Sequence, residues 1–175
     1  MSQILVTGAN GFVGRGLCDA LRTRGIAVVP AVRKINQASD VAVGDLSAAT
    51  DWRLALQNCD AVIHLAARVH VMNETASDPL DAFRSVNVEA TVNLARQAIT
   101  AGVSRFVFVS SVKVNGEETS ERPYTAFDEP APTDPYGISK LEAEVALKKL
   151  AEETGLEVVI CLLYTSDAAD DSLRV

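Results

Sequence analysis

The 175-residue sequence is poor in histidine and cysteine, the side chains of histidine-based metal sites and of disulfide frameworks. Its only histidines are His64 and His70, which argues against a histidine-based metal site. The three cysteines, Cys18, Cys59 and Cys161, are odd in number and widely spaced, so they predict neither a disulfide framework nor a metal-binding motif. Unpaired cysteines are typical of a reducing compartment, and we therefore expect a cytoplasmic protein.

Long apolar runs and an excess of positive charge are also missing. No apolar stretch reaches the roughly 18 residues that a membrane-spanning helix needs, and the N-terminus has no signal-peptide pattern. The formal net charge is −7, whereas a nucleic-acid-binding surface needs a basic face. We expect neither a membrane nor a nucleic acid as partner. The composition, 48% hydrophobic and 5% aromatic, is typical of one domain with an aliphatic core.

Short runs rich in valine and isoleucine alternate with helical patterns along the chain. Continuous apolar runs of this length are typical of strands that are buried on both faces of a parallel sheet. Their alternation with helices predicts an α/β fold with a doubly wound, Rossmann-like parallel sheet. The predicted strands are residues 3–7, 27–32, 41–43, 61–65, 106–110 and 157–162, and the predicted helices are 11–24, 48–57, 79–101 and 135–154. Residues 114–134 are predicted to form a long functional loop.

A glycine-rich segment, TGANGFVG, joins the first predicted strand to the first predicted helix. Gly8 permits a tight turn, Gly11 lets the backbone approach a pyrophosphate, and Gly14 allows close packing of the helix on the strand. The helix N-terminus offers unpaired N–H groups and a partial positive charge to the anion. The segment predicts a dinucleotide site, and the alternative is a glycine-rich turn without a ligand.

Two further segments follow predicted strands, at the edge where ligands bind in open α/β sheets. Asp45, in GDL, could accept a hydrogen bond from an adenine amino group, although taken alone a helix N-cap or turn aspartate is the commoner explanation. In HLAA, the small residues leave room for a flat ring or a sugar over the backbone. We interpret His64 in that segment as a core residue rather than a catalyst.

Tyr136 and Lys140 form the most informative pattern, because residues four apart at the start of a helix share a face. The pKa of a free phenol is about 10, and a nearby ammonium favours the phenolate, so Lys140 is predicted to activate Tyr136. Ser110 and Ser111 end the preceding strand, where a hydroxyl could polarise a substrate oxygen. A Tyr-x-x-x-Lys pair alone is usually an ordinary helix start, but the order of strand, serines, loop and tyrosine favours a catalytic site.

With these motifs the chain resembles the extended short-chain dehydrogenase/reductase superfamily, in its NAD-dependent epimerase/dehydratase branch, of which UDP-glucose 4-epimerase is the familiar member. The matching segments, within residues 1–160, are TGANGFVG, GDL, HLAA, NVEAT, VSSVKVNG and YGISK. The resemblance implies an NAD(P)-dependent enzyme that transfers a hydride at a carbon of a sugar nucleotide, with a UDP-sugar as the expected substrate. It also implies that the whole protein is a homodimer.

The resemblance assigns roles to residues by position. Ser111, Tyr136 and Lys140 take the catalytic positions, with Tyr136 as the acid/base and Lys140 as its partner. The cofactor-binding positions are Gly8, Gly11, Phe12, Val13, Gly14, Arg33, Asp45, Leu46, Leu65, Ala66, Ala67, Asn87, Tyr136 and Lys140. No metal ligand is implied.

Several residues depart from the family pattern. The second predicted strand is followed by Arg33 and Lys34, where members that choose NAD usually have a carboxylate. A carboxylate would bind the ribose 2′-hydroxyl, whereas Arg33 would pair with a 2′-phosphate, so we expect NADP and a net reductase. Lys113 stands where epimerases usually have a small residue or threonine, and Ala90 replaces a glycine. The run SSVKVNGE resembles a subgroup that includes 4-keto-reductases of amino-deoxy sugar nucleotides.

The C-terminal segment CLLYTSDAADDSLRV matches the translation of a transposase-type sequencing adapter. We therefore interpret residues 1–160 as an incomplete cofactor-binding domain and residues 161–175 as a non-native tail. The resemblance implies a further substrate domain that this chain lacks, so the chain alone is expected to be inactive. Two other functions stay open: a non-catalytic dinucleotide-binding or redox-sensor module on the same fold, and reduction of a non-sugar substrate.

Overall fold

Six strands form one parallel sheet in the computed structural model, which describes residues 3–69, 78–119, 122–125 and 127–163. The strands are β1 Gln3–Thr7, β2 Ala27–Val32, β3 Val41–Ala42, β4 Cys59–His64, β5 Arg105–Ser111 and β6 Glu157–Leu163. The α-helices are α1 Phe12–Thr23, α2 Pro79–Arg84, α3 Ala90–Thr100 and α4 Pro135–Thr154. A π-helical turn, Ser85–Glu89, joins α2 to α3, and a 3-10 turn, Val112–Val114, follows β5.

The strand order is β3-β2-β1-β4-β5-β6, and every neighbouring pair is parallel. Strands β2 and β3 are added on one side of β1, and β4, β5 and β6 on the other, so the strand order reverses between β1 and β4. In open α/β sheets a crevice forms at such a reversal, outside the carboxyl ends of the strands. The predicted doubly wound parallel sheet is confirmed.

Both faces of the sheet are buried, as the continuous apolar runs predict. Leu5 and Val6 are neighbours in β1 and both are 0% exposed, yet they belong to different apolar clusters. Leu5 packs in the larger cluster with side chains from α3 and α4, whereas Val6 packs with Cys18 of α1. Helices therefore cover the two faces from opposite sides, which leaves the ends of the strands for ligands.

The predicted helix over residues 48–57 is wrong, because this stretch forms a series of turns. Local hydrogen bonds from side chains compete with helical ones here: Ser47 N–H donates to Thr50 Oγ1 at 2.9 Å. The Trp52 N–H donates to Gln97 Oε1 of α3 at 2.8 Å. Trp52 is nonetheless 0% exposed, so these turns pack on the sheet in the place of a crossover helix.

The other predicted elements agree with the structure to within two residues at each end, apart from the predicted helix 79–101, which is interrupted by the π-helical turn. Helix α4 has the same bounds as the predicted helix 135–154, with Asp134 as its N-cap and Gly155 as a left-handed C-cap. In the predicted loop, the described residues between the 3-10 turn and α4 form no helix or strand. Within the described ranges, no helix combines the length and the apolar character needed to cross a membrane.

Candidate cofactor cleft and active site

The turn between β1 and α1 is too tight for side chains at its glycines. Gly8 has a φ of +66°, and a Cβ there would lie 3.0 Å from the Ala66 backbone nitrogen of the strand end next to it. A Cβ at Gly14 would overlap the Gly8 carbonyl oxygen. Gly11 caps α1, and its N–H donates to the Gly8 carbonyl at 2.9 Å. This geometry agrees with the tight turn predicted at Gly8 and the close packing predicted at Gly14. The approach of a pyrophosphate to Gly11 stays a prediction.

An open cleft of about 920 Å³ lies at the carboxyl ends of β1, β2 and β4 and above the segment that follows β3. Its position is the crevice expected at the reversal of the strand order. The predicted cofactor positions that line it are Gly8, Arg33, Asp45, Leu46, Ala66 and Ala67. Trp52 and Asn10, which the sequence did not single out, line it as well.

Other predicted cofactor positions lie outside the lining of this cleft. Phe12 and Val13 are in the first turn of α1 with side chains 64% and 42% exposed, so only their backbone N–H groups suit the predicted role. Leu65 is partly buried and packs against the cluster around Val6 and Cys18. Its predicted contact with the cofactor stays a prediction.

Arg33 and Asp45 contact each other across the mouth of the cleft. Arg33 Nε lies 3.0 Å from Asp45 Oδ1, and the two side chains are 74% and 88% exposed. Since no helix starts at Asp45, the helix N-cap alternative is wrong, and the residue lies in a bend after β3. Ion pairs this exposed contribute little, about 0–1 kcal/mol. The guanidinium is therefore held near the cleft but is not locked in place.

His64 is a neutral, buried residue of the core, which is the position that the sequence analysis assigned to it. Its Nδ1 lies 2.7 Å from Thr7 Oγ1 and its Nε2 lies 3.0 Å from Thr91 Oγ1. Burial, with a smaller effect of Lys140, lowers the His64 pKa to about 3. Thr7 Oγ1 also accepts from the backbone N–H groups of Leu65 and Ala66. His64 and Thr7 together hold the ends of β1 and β4 at the cleft.

Ser111 and Tyr136 are brought together from β5 and from the first turn of α4. Burial raises the pKa of the Tyr136 phenol, and the nearby Ser111 side chain lowers it by a smaller amount. The net pKa lies above the usual 10, so the resting phenol is protonated at neutral pH. Ser110, next to Ser111, is 2% exposed and its hydroxyl has no partner among the described residues.

The Lys140 ammonium contacts β5 instead of the Tyr136 phenol that the helix spacing predicted as its partner. Its Nζ donates to the Val109 carbonyl at 2.7 Å and lies 4.0 Å from the centre of the Phe108 ring. Burial lowers the Lys140 pKa to about 7. Among the described residues, the charges that shift the Tyr136 pKa are Asp134, which raises it, and Lys113, which lowers it. The expected activation of Tyr136 by Lys140 is therefore not seen in this arrangement.

Asn87 is buried in the π-helical turn and connects the end of β4 to α4. Its Oδ1 accepts from the Arg68 N–H at 2.8 Å, and its Nδ2 donates to the Arg68 carbonyl and to Ser139 Oγ, each at 3.0 Å. Ser139 Oγ donates in turn to the Tyr136 carbonyl at 2.8 Å. Asn87 thus links the segment after β4 to the Tyr136 backbone through Ser139. Single π-helical turns inside α-helices are frequent at functional sites.

A sequence model of the NAD dependent epimerase/dehydratase family matches residues 4–166. The chain belongs to this family. The match and strand β6, which ends at Leu163, both pass the boundary predicted at residue 160. The non-native tail stays a prediction, and residues 164–175 lie outside the described part of the chain.

Relatives of this epimerase/dehydratase chain include enzymes with sugar-nucleotide and steroid names. It is 48% identical over 163 residues to a UDP-glucose 4-epimerase of Vibrio cholerae, covering 90% of this chain and 50% of the relative. It is 34% identical over 142 residues to a 3-beta-hydroxysteroid dehydrogenase of Mycolicibacterium neoaurum, covering 71% and 38%. The structure of MoeE5 in complex with UDP-glucuronic acid and NAD superposes with a TM-score of 0.78 at 32% identity, covering 93% and 54%. The chain spans about half the length of the curated relatives it matches.

Proposed function

We propose that this chain provides the cofactor cleft and acid/base residues of an NAD(P)-dependent epimerase, dehydratase or reductase of sugar nucleotides, with residues 1–160 as its cofactor-binding domain. The observation that carries the proposal is the pairing of Ser111 with Tyr136 beside the cleft at the reversal of the strand order. The names of the Vibrio cholerae relative and of the MoeE5 complex support a UDP-sugar as the substrate. A homodimer in the cytoplasm remains the corresponding proposal for the whole protein.

The cleft suits a dinucleotide in shape and in charge. The glycine turn leaves backbone N–H groups of α1 accessible without covering side chains, and a helix N-terminus favours a pyrophosphate. Gly8, Gly11 and Gly14 would hold that group, while Leu46, Ala66 and Ala67 would border the rings. NAD(P), when bound, supplies or accepts the hydride.

The residues of this chain manage the proton. Tyr136, protonated at rest because burial raises its pKa, can donate its proton to a substrate carbonyl oxygen. Ser111 can hold the same oxygen by a second hydrogen bond. In the opposite direction Tyr136 must act as a base, and a cation near the phenol then favours the reaction.

The cofactor is proposed to be NADP rather than NAD. Arg33 and Lys34 line the cleft just after β2, at the strand end where a carboxylate would select the ribose 2′-hydroxyl of NAD. The only carboxylate that contacts Arg33 among the described ion pairs is Asp45, which follows β3. A 2′-phosphate would bind the guanidinium in place of this exposed carboxylate.

Oxidation of a hydroxysteroid is the second candidate function, because a 3-beta-hydroxysteroid dehydrogenase matches 71% of the chain at 34% identity. Its chemistry would use the same Ser111 and Tyr136 on a hydroxyl group of an apolar substrate. Turnover of a steroid but not of a UDP-sugar by the full-length protein would favour it. A non-catalytic redox sensor would show neither activity but would still bind the dinucleotide.

Replacement of Tyr136 by Phe in the full-length protein tests the acid/base assignment. General acid–base groups contribute roughly two to four decades in rate, and we expect a loss of this size with unchanged cofactor affinity. Tyr124→Phe, which removes a phenol hydroxyl from the loop, is the matched control and should leave turnover near the wild-type level. Near-normal turnover by Tyr136→Phe would reject the assignment.

A further inference from the structure

Lys113 connects three separate parts of the active-site region. Its Nζ donates to Asp134 Oδ2 at 2.7 Å and to Glu117 Oε2 at 3.1 Å, and its backbone N–H donates to Ser111 Oγ at 3.3 Å. The Lys113 carbonyl oxygen lies so close to Gly137 that a Cβ there would come within 2.7 Å of it. One residue therefore contacts the end of β5, the long loop and the first turn of α4.

Asp134 carries the contact with Lys113 into helix α4. While Oδ2 pairs with Lys113, Oδ1 accepts from the Gly137 N–H at 2.5 Å and caps the helix whose second residue is Tyr136. Burial raises the Asp134 pKa, but the Gly137 N–H and Lys113 together bring the net value below its usual range. The carboxylate is therefore ionised, and both of its oxygens are occupied.

An aspartate at this position has opposite effects on structure and on chemistry. As an N-cap it fixes the start of α4, but a carboxylate near a phenol disfavours the phenolate. Asp134 does raise the Tyr136 pKa, and Lys113 acts in the opposite direction. The Lys113 ammonium on Asp134 Oδ2 offsets the charge of the carboxylate, while Oδ1 still caps the helix.

Other charged groups around Tyr136 are engaged elsewhere. Lys140 Nζ, one turn along α4, donates to the Val109 carbonyl. Glu142 binds Arg84 of α2 through both of its oxygens. The Arg68 guanidinium lies 5.4 Å from the centre of the Phe83 ring, and that ring meets Tyr136 edge to face.

We propose that Lys113 is a positioning residue for Tyr136 that acts through Asp134, holding the N-cap carboxylate of α4 in place and compensating the negative charge it brings beside the phenol. Its importance for turnover rests on the proposed function, but its electrostatic effect can be measured without turnover.

The test is a spectrophotometric titration of tyrosinate in the full-length protein without cofactor, with Tyr136 assigned by subtracting the Tyr136→Phe signal. Lys113→Met should raise the Tyr136 pKa, because it leaves the carboxylate uncompensated. Asp134→Asn should lower it, because the amide still caps the helix while Lys113 remains. Lys113→Arg should keep the wild-type value. Lys149→Met, which breaks an exposed ion pair with Glu153 on the same helix, is the control and should not move it.

A purely structural ion pair predicts a different result. Lys113→Met and Asp134→Asn break the same contact, so shifts in the same direction, or no shift in either, would overturn the proposal. If Lys113→Met does not fold, the proposal still requires a lowered Tyr136 pKa in Asp134→Asn and an unchanged Tyr136 pKa in Lys113→Arg.

A second readout is the pH dependence of turnover. Lys113→Met should shift the pH profile of kcat in the same direction as the Tyr136 pKa, with KM nearly unchanged. A change of one in the pKa alters the phenolate fraction about tenfold. Absence of turnover in the wild type would count against the proposed function alone, since the titration does not depend on it.

Discussion

The exposed pair of Arg33 and Asp45 makes a quantitative prediction about cofactor choice. A hydrogen-bonded pair between a guanidinium and a charged group contributes roughly 1.5–3 kcal/mol, which corresponds to about one to two decades in affinity. Arg33→Ala should therefore weaken NADP binding roughly ten- to a hundredfold and leave NAD binding nearly unchanged, because NAD has no 2′-phosphate.

Asp45→Asn should act in the opposite direction. The ion pair that the phosphate must replace is worth at most about 1 kcal/mol, because both side chains are well exposed. Releasing Arg33 should raise the ratio of NADP to NAD affinity by up to about fivefold. The ratio is the proper measure, since any contact of Asp45 with the adenine is common to both cofactors.

Calorimetric titration of the full-length protein with each dinucleotide measures both effects. Arg53→Ala is a suitable control, because it breaks another exposed pair, with Asp51, away from the cleft lining. A clear preference for NAD that is unchanged in Arg33→Ala would refute the reasoning. So would a loss of NAD and NADP affinity by the same factor, because that would mean Arg33 does not contact the 2′-phosphate.

Three further substitutions test the groups that hold the site. Asn87→Ala removes three hydrogen bonds to Arg68 and Ser139 and leaves buried groups unpaired. It should lower the free energy of unfolding by about 1–3 kcal/mol, measured by denaturant titration. An unchanged free energy of unfolding would contradict the structural role of Asn87. The Lys140 pKa of about 7 lies below that of an unfolded lysine, so the unfolded state binds more protons above pH 7 and the free energy of unfolding rises with pH from there toward 10. Lys140→Met should remove this rise in melting curves measured across that range. An unchanged pH dependence of the melting temperature would argue against the buried position. The His64 pKa of about 3 lies below its unfolded value near 6.5, so the buried neutral ring loses stability as pH falls between those values. His64→Gln should therefore lose less stability than the wild type between pH 6.5 and 3, and an equal loss in both proteins would contradict this account.

The sheet and most helix boundaries follow from local sequence signals. The start of helix α4 could be predicted because an Asp-Pro pair marks it, with Asp134 as N-cap and Pro135 as the first helical residue. The same pair could have singled out Asp134 for the site, since it lies two residues before Tyr136. The end of strand β1 could likewise be predicted, because its apolar run stops at the glycine turn that begins with Gly8.

What the sequence could not predict depends on contacts between distant residues. The turns in place of helix 48–57 are stabilised by Gln97, which is 45 residues from Trp52 along the chain. The contacts of His64 with Thr7 and Thr91 likewise join residues that no local pattern connects. Helical spacing predicted that Lys140 shares a face with Tyr136, but it could not predict that its ammonium would bind the Val109 carbonyl.

The conversion of a sugar nucleotide tests the central claim most directly. The full-length protein is incubated with NADP or NAD and, in turn, UDP-glucose, UDP-glucuronic acid and a 4-keto sugar nucleotide with reduced cofactor, and the products are identified by NMR. We predict a change of configuration or oxidation state in the sugar ring of at least one substrate, dependent on the cofactor. A protein that binds the dinucleotide with high affinity and leaves every one of these sugar nucleotides unchanged would contradict the account.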